Sequence, residues 1–270
     1  MTMNAVQFQH PAYGRMREVT EYASVAVAHN PGPMTLEGTN TWILSAPHQK
    51  GCVIVDPGPG DDAHIALLTQ GKRIDLVLVT HRHQDHTDGI DALFAKSGAP
   101  VRAFLPEYCR GDGEPLRNEE IIHACGLDIT VLAAPGHTAD SAMFLVPGES
   151  AAAVLTGDTI LGHGSTVLDA TDGNLADYLD TLEKAAKIGH GLIGLPGHGP
   201  ERADVAEAAR EYQAHRLHRL NQIRAALDEL GDDATAREVV EHVYVDVDSA
   251  LWGAAEASVH AQLAYLRRRA

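Results

Sequence analysis

His81-Arg82-His83-Gln84-Asp85-His86 is the most informative segment of this 270-residue chain, because three imidazoles and one carboxylate occupy six consecutive positions. The stretch follows Ile74 to Thr80, a short apolar run rich in β-branched residues that predicts a buried strand. Since side chains alternate along an extended backbone, His81 and His83 should point to the same side. They are therefore candidate ligands of one metal ion.

The second half of the stretch predicts a further group of ligands. Asp85 and His86 should lie in the turn that leads into a helix at about Asp88 to Ser97, where they can reach a second position beside the first. The alternative is a solvated polar loop, since the chain has 16 histidines and a single histidine is more often a packing or surface residue. The spacing favours two neighbouring metal positions.

Three further candidate ligands each follow an apolar run that predicts a strand. These ligands are His137 (in PGHT), Asp158 (in TGDT) and His198 (in PGHGP). The runs that precede them are Ile129 to Ala134, Ala151 to Leu155 and Leu192 to Leu195. Four strand ends should thus deliver ligands to one edge of a sheet, where loops carry function on a rigid scaffold. The whole set favours a metal site over isolated histidines.

The ligand pattern resembles that of the metallo-β-lactamase-fold superfamily, over about Val25 to Pro200. This resemblance implies the α/β class and an αββα sandwich. The metal ligands that it implies are His81, His83 and His137 for one ion, Asp85, His86 and His198 for the other, and Asp158 as the bridge. The best-known antibiotic-hydrolysing members have a cysteine at the Asp158 position or lack a bridging carboxylate, so β-lactamase activity is not expected.

The ligand types also predict the chemistry. Imidazole and carboxylate suit two Zn²⁺ ions best, and a bridging carboxylate also tolerates iron or manganese. Two cations about 3.5 to 4 Å apart can share a water, lower its pKa toward about 7, and contact both the entering and the leaving oxygen of a substrate. Asp85 can orient that nucleophile or accept its proton. The set predicts a metal-dependent hydrolase that uses a bridging hydroxide, with Asp85 and Asp158 as catalytic residues.

A narrower resemblance covers nearly the whole chain. It rests on the segment from Asn30 to Trp42 (NPGPMTLEGTNTW), on Thr156 to Val167 (TGDTILGHGSTV), and on the helical tail after Pro200. These segments resemble the β-lactamase-like protein 2 family. That family includes a metal-dependent endoribonuclease of single-stranded RNA, and the wider group contains thioesterases that release polyketides. The resemblance implies single-stranded RNA or a small thioester as substrate.

Several residues near the ligands are candidates for supporting roles. Thr39 and Asn40 are candidate substrate contacts, although they also suit a turn that feeds a strand at Trp42 to Ser45. His163 is a candidate acid for a leaving alkoxide, or a loop histidine that faces water. Asp56 can accept a hydrogen bond from a ligand histidine, which is a common requirement of metal sites.

The tail predicts a small all-α domain. The helices that the apolar spacing predicts are Ala203 to Leu230, Thr235 to Val243 and Ser249 to Arg268, with Gly231 as a stop and Ser249 as a cap. They resemble the winged-helix-like tail of the same family. The predicted domains are therefore 1–200, a metallo-β-lactamase-fold catalytic domain, and 201–270, a winged-helix-like domain. This domain could bind nucleic acid, wall the active site or form a homodimer surface.

Charge bears on the substrate. Lys and Arg number 21 and Asp and Glu 37, so the formal net charge is −16. Binding to a polyanion depends on neutralised phosphates, so this charge disfavours a long nucleic acid. Metal ions offset it locally, and the basic stretch Gln213 to Arg224 could contact phosphates. Hydrolysis of single-stranded RNA is the leading prediction and thioester hydrolysis the alternative, for which an acidic surface is no obstacle.

The cellular setting follows from cysteines and hydropathy. Cys52, Cys109 and Cys125 are odd in number and lack paired metal spacing, which favours reduced thiols. The first twenty residues lack the apolar core of a signal peptide, and no run reaches transmembrane length. The sequence predicts a cytoplasmic protein that does not bind membranes.

Overall fold

The computed structural model describes residues 12–148, 152–245 and 252–267. Predicted boundary residues outside these ranges are Ala151, Ser249 and Arg268. The described residues form two compact units. Unit 1 contains those up to Leu116, together with Ile121–Ile129 and Gly197–Gly199. Unit 2 contains those of Arg117–Glu120 and Thr130–Pro196, and those from Pro200 onward.

Unit 1 is built on a six-stranded sheet with the strand order β1-β2-β3-β4-β5-β6. Its strands are β1 Met16–Glu18, β2 Ala23–Val27, β3 Asn40–Leu44, β4 Gly51–Val55, β5 Arg73–Leu78 and β6 Val101–Arg102. The first four strands pair antiparallel, whereas β4, β5 and β6 pair parallel. All of β4 and most of β5 are buried, as parallel strands covered on both faces require. The predicted strand before His81 is confirmed.

The helices of unit 1 are α1 Asp62–Thr69, α2 Gln84–Thr87 and α3 Ile90–Ser97, with a 3₁₀ turn at Pro106–Tyr108. Gly98 ends α3 in the left-handed region, at φ 66°, where a glycine has no steric penalty. The predicted helix after the ligand stretch is thus confirmed, although it begins two residues later than the sequence predicts. Asp85 and His86 lie in the separate helical turn α2 and not in an irregular turn.

A buried histidine lies in α1 of unit 1. His64 is 5 % exposed, and its Nε2 lies 2.8 Å from the hydroxyl of Thr41. That hydroxyl donates to the carbonyl of Asp56 at 2.6 Å, so the His64 Nε2–H donates to Thr41. Burial lowers the pKa of His64 to about 4, and the nearby Asp61 opposes this only in part. His64 is therefore neutral in the folded chain at pH 7.

We expect His64 to make stability depend on pH. Between the ordinary histidine pKa of about 6.5 and the folded value of about 4, only the unfolded chain binds the proton. The stability present above pH 6.5 is therefore lost as the pH falls through this window, by at most about 3 kcal/mol. Urea unfolding at pH 7.5 and 4.5 should show a smaller loss for His64→Gln. Equal losses in both proteins would contradict the assignment.

The second sheet contains strands β8 Leu127–Ala133, β9 Ala142–Val146, β10 Ala153–Gly157 and β11 Ile193–Pro196. With β7 Ile121–Ala124 they have the order β11-β10-β9-β8-β7. Unit 2 contains β9, β10, β11 and the residues of β8 from Thr130 onward. Because β9 is antiparallel to β8 and β10, and β11 is parallel to β10, the strands β8, β10 and β11 run in one direction. The prediction of one sheet edge for all four ligand-bearing strands is wrong, since β5 belongs to the other sheet.

The helices of unit 2 are α4 Leu175–Ile188, α5 Val205–Leu230, α6 Ala236–Val243 and α7 Trp252–Arg267. Thr235 and Glu238 form a capping box that starts α6. Residues of α5 pack with α4 in one apolar cluster and with α6 and α7 in a second. The three tail helices are confirmed, and the boundary at residue 200 stays a prediction. Within the described ranges, every helix is too short or too polar to cross a bilayer.

Candidate metal centre

Three of the predicted ligands come together in unit 1. The Oδ2 atom of Asp85 lies 3.3 Å from His86 Nε2 and 3.3 Å from His198 Nε2, and these two nitrogens are 3.3 Å apart. Ligands at about 2.0 to 2.2 Å from a tetrahedral metal ion are separated by about 3.3 to 3.5 Å. The triangle has the size that three ligands of one ion require, and it is a candidate metal group.

The outer ring nitrogens determine which atoms face this group. His86 Nδ1 lies 2.8 Å from Asp56 Oδ2, and His198 Nδ1 lies 3.2 Å from the carbonyl oxygen of Gly38. These oxygens can only accept, so each Nδ1 carries the hydrogen and each Nε2 presents a lone pair. Two lone pairs and a carboxylate oxygen converge at 3.3 Å and repel one another unless a cation lies among them. The donor set therefore fits a metal ion.

The charge of Asp85 fits the same role. Burial by itself raises the pKa of Asp85, but positive charge on the rings of His86 and His198 outweighs burial and holds this pKa well below its usual range when the rings are protonated. With neutral rings, a bound cation would supply that charge. The carboxylate is therefore ionised at neutral pH. An ionised carboxylate beside two imidazole nitrogens is a typical zinc ligand set.

Asp56 supports the ligands of unit 1 from behind. It follows β4, is 1 % exposed, and has a φ of 56°, which aspartate tolerates better than most residues. Its Oδ1 accepts from the backbone N–H of Thr80 at 2.7 Å, and its Oδ2 accepts from the Thr80 hydroxyl at 2.7 Å and from His86 at 2.8 Å. The predicted hydrogen bond to a ligand histidine is confirmed.

His81 and His83 face each other after β5. His81 Nε2 and His83 Nδ1 are 3.0 Å apart, which confirms that the two rings point to the same side. The Thr80 hydroxyl lies 3.0 Å from His81 Nδ1 and gives its own hydrogen to Asp56. His81 Nδ1 must therefore be the donor, and His81 Nε2 presents a lone pair. The pair offers two more ligand nitrogens in unit 1.

Thr39 holds Asp85 through its hydroxyl. This hydroxyl donates to Asp85 Oδ2 at 2.8 Å and accepts from the side-chain amide of Asn30 at 3.0 Å. Asn40 donates its side-chain amide to the carbonyl of Gly199 at 2.8 Å. Sequence reasoning missed these supporting contacts, because no local pattern connects Thr39 with Asp85. A substrate contact of Thr39 or Asn40 stays a prediction.

We expect Thr39→Val to weaken metal binding about tenfold, which is the lower end of the effect of residues that orient metal ligands. Valine keeps the volume but cannot donate to Asp85 or accept from Asn30. Competition with a chromophoric chelator measures the affinity, and Thr39→Ser, which keeps the hydroxyl, is the matched control. Equal affinities of the two variants would contradict the role of the hydroxyl.

Unit 2 contains the predicted ligands His137 and Asp158. His137 Nε2 lies 3.8 Å from Asp158 Oδ2, and the two side chains are 6 % and 11 % exposed. His137 Nδ1 lies 2.6 Å from the carbonyl oxygen of Val167, so the hydrogen is on Nδ1 and Nε2 presents a lone pair. Gly136 has a φ of 139°, and a Cβ there would lie 2.4 Å from Tyr178 Cα. Only glycine allows this approach to α4, which places His137.

Of the other residues predicted to contact substrate, some are exposed and some are buried. His163 is exposed in the loop after β10, and its role as an acid stays a prediction. In the basic stretch Gln213 to Arg224, the side chain of Arg216 is only 3 % exposed. This arginine contacts the chain itself, which reduces the basic surface that the sequence predicts.

Family models match both parts of the chain. Residues 34–198 match the Metallo-beta-lactamase superfamily, and residues 235–269 match the Beta-lactamase associated winged helix domain. The chain is 31% identical over 226 residues to "Lactamase-like protein adaB" of Aspergillus niger, across 81% of this chain and 68% of the relative. It is 31% identical over 249 residues to "Beta-lactamase-like protein 2 homolog" of Caenorhabditis elegans, across 86% and 79% of the two chains.

A solved structure shows the same fold. A beta-lactamase domain protein from Burkholderia ambifaria is similar with a TM-score of 0.79 at 22% identity, over 96% of this chain and 90% of that chain. These matches confirm the predicted fold class and the winged-helix tail. The candidate ligand groups of the chain fit the same assignment. The chain therefore belongs to the metallo-β-lactamase superfamily and is a metal-dependent hydrolase.

Proposed function

We propose that the chain is a dinuclear metal hydrolase that cleaves phosphodiester bonds in single-stranded RNA. The proposal rests on the orientation of the candidate ligand histidines. In His86, His137 and His198, a hydrogen bond from Nδ1 to an oxygen acceptor leaves Nε2 to face the site. Support for RNA comes from the resemblance of residues 30–42 and of the tail to the β-lactamase-like protein 2 family, and from the 31% identity to a homolog with that name.

The ligands divide into two sets in this proposal. His81, His83 and His137 would hold one metal ion, Asp85, His86 and His198 would hold the other, and Asp158 would be the shared ligand. When bound, two Zn²⁺ ions would supply Lewis acidity and activate a water for attack. Iron and manganese are alternatives, which metal analysis of the purified protein would distinguish.

The residues of the chain supply the positioning and the proton acceptor. Asp85, which the Thr39 hydroxyl contacts at 2.8 Å, orients the attacking water or accepts its proton in this proposal. His163, exposed in the loop after β10, protonates the alkoxide that leaves. Because an alkoxide is a poor leaving group, loss of this acid should slow RNA cleavage more than cleavage of a thioester.

Thioester hydrolysis is the second candidate, and charge favours it. The net charge of −16 opposes the approach of a polyanion, and the burial of Arg216 removes one cation from the basic stretch. A thiolate is a good leaving group that needs no acid. The predicted homodimer and cytoplasmic location are compatible with either activity.

The deciding experiment compares two substrates for one zinc-loaded preparation. Single-stranded RNA and a short acyl thioester are assayed side by side, with Asp158→Asn as the blank. RNA cleavage that disappears in the blank supports the nuclease proposal. Thioester cleavage without RNA cleavage overturns it in favour of the second candidate. Activity on neither substrate at verified metal content would overturn both.

A further inference from the structure

The loop after β10 is bound to two helices of unit 2. This segment, Asp158 to Leu168, is called the Asp158 loop here. Its backbone contacts from helix side chains are the Tyr178 hydroxyl to the Thr159 carbonyl at 2.6 Å, the Leu161 N–H to the Tyr212 hydroxyl at 3.0 Å, and Arg216 to the Thr166 carbonyl. Tyr178 belongs to α4, whereas Tyr212 and Arg216 belong to α5. The helix that leads into the tail therefore also holds the Asp158 loop.

Two adjacent residues of the Asp158 loop contact the two candidate ligands of unit 2. The hydroxyl of Thr166 donates to the backbone carbonyl of Asp158 at 2.6 Å. The next carbonyl, that of Val167, accepts from His137 Nδ1 at 2.6 Å. The peptide between Thr166 and Val167 joins these two contacts, so its position affects the backbone of Asp158 and the ring of His137 together.

Arg216 donates to this same peptide from a buried position. Its side chain is 3 % exposed, its guanidinium carbon lies 5.2 Å from the centre of the Tyr178 ring, and its Nε has no hydrogen-bond partner. A buried cation costs stability unless it is well paired, so a methionine or leucine would fill this space at lower cost. Packing alone does not account for an arginine here.

We infer that Arg216 is a positioning residue for the metal ligands His137 and Asp158. Its hydrogen bond to the Thr166 carbonyl holds the peptide that joins the Thr166 hydroxyl, which supports the Asp158 backbone, to Val167, whose carbonyl orients the His137 ring. The ring of Tyr178 holds the guanidinium in place by a cation–π contact. This inference rests on the proposed metal role of His137 and Asp158, and it gives α5 a part in the metal site as well as in the tail.

Metal binding by the full chain tests the inference. Arg216→Met keeps the length of the side chain but removes its donors, and Arg216→Lys keeps a charge and one donor end. The matched control is Arg224→Met, which makes the same change at an exposed position of α5. Zinc affinity and stoichiometry are measured by competition with a chromophoric chelator, and the melting temperature of each variant is recorded.

We expect Arg216→Met to bind zinc at least about tenfold more weakly at one of two sites, the scale for residues behind metal ligands. Arg216→Lys should recover part of the affinity, and Arg224→Met should match the unmodified chain. The melting temperature of Arg216→Met should fall little compared with the loss of zinc affinity, because the substitution also removes a buried charge. A general packing role would lower the melting temperature without a selective loss of one metal.

A second variant covers the case in which Arg216→Met does not fold. Thr166→Val keeps the carbonyl that Arg216 contacts but cuts the hydrogen bond to Asp158, so it should weaken the same metal site. The inference would be overturned if Arg216→Met bound zinc as tightly as the unmodified chain. If only Thr166→Val folds, unchanged zinc binding by that variant would overturn it instead. Either result would leave the proposed function intact. An unmodified chain that binds no zinc would overturn both.

Discussion

Asp158→Asn is expected to abolish hydrolysis by the zinc-loaded protein, with a loss of kcat/KM of at least about a thousandfold, the scale seen when groups at the reacting centre are removed. The side chain of Asp158 is 11 % exposed and lies 3.8 Å from His137 Nε2. Asparagine has the same shape but carries no negative charge, so it is a poor bridge between two cations. The Thr166 bond goes to the backbone of Asp158 and survives the change, so the fold should remain.

The control for this prediction is Asp177→Asn, which removes an exposed carboxylate from the first turn of α4. It should keep full activity. His83→Ala removes a ligand nitrogen from unit 1 and should also abolish turnover. The measurements are kcat/KM, metal content and the melting temperature of each protein. Full activity of Asp158→Asn at verified metal content would contradict the proposed site.

Asp56→Asn is expected to weaken metal binding about 10- to 100-fold, the effect of removing a hydrogen-bond partner of a metal ligand. Both carboxylate oxygens of Asp56 accept, from Thr80 twice and from His86 once, at 2.7 to 2.8 Å. Asparagine replaces one acceptor by an NH₂ group, which places donors against donors in a site that is 1 % exposed. The free energy of unfolding should also fall, by about 3 kcal/mol.

Chelator competition and urea unfolding measure these two effects. Asp62→Asn is the matched control, since Asp62 is exposed in the first turn of α1 in the same unit. It should change neither quantity by much. A metal affinity of Asp56→Asn equal to that of the control would show that His86 keeps its orientation without Asp56, and the supporting role would be wrong.

The acidic composition of the chain predicts a different salt dependence for the two candidate reactions. With a net charge of −16, cleavage of single-stranded RNA would depend on the local charge of the metal ions against the repulsion of the acidic remainder. The KM for RNA should therefore change with salt concentration. A neutral thioester should show little dependence on salt. The salt dependence of KM thus separates the two candidate reactions independently of the products.

Local patterns were sufficient to find the candidate ligands. His81, His83, Asp85 and His86 are recognisable from spacing alone, and His137, Asp158 and His198 from their positions after apolar runs. The helices after residue 200 follow from apolar periodicity and capping residues, and they were confirmed. Such features depend on residues that are close in sequence, so they are visible without tertiary structure.

The supporting contacts were not visible in the sequence. Thr39 meets Asp85 across 46 positions of the chain, and Arg216 meets Thr166 across 50. The assignment of the ligand-bearing strands to two sheets, which sequence reasoning placed in one, also depends on long-range pairing.

The side chains that can bind metal were identifiable from the amino-acid sequence, because ligand identity and spacing are local properties of strand ends and turns. The nitrogen of each histidine that faces the site became known from the folded chain, since it depends on an acceptor from elsewhere in the sequence, such as Asp56 for His86 or the Val167 carbonyl for His137. A hydrogen bond between distant residues leaves no periodic signal, yet it orients the ligand.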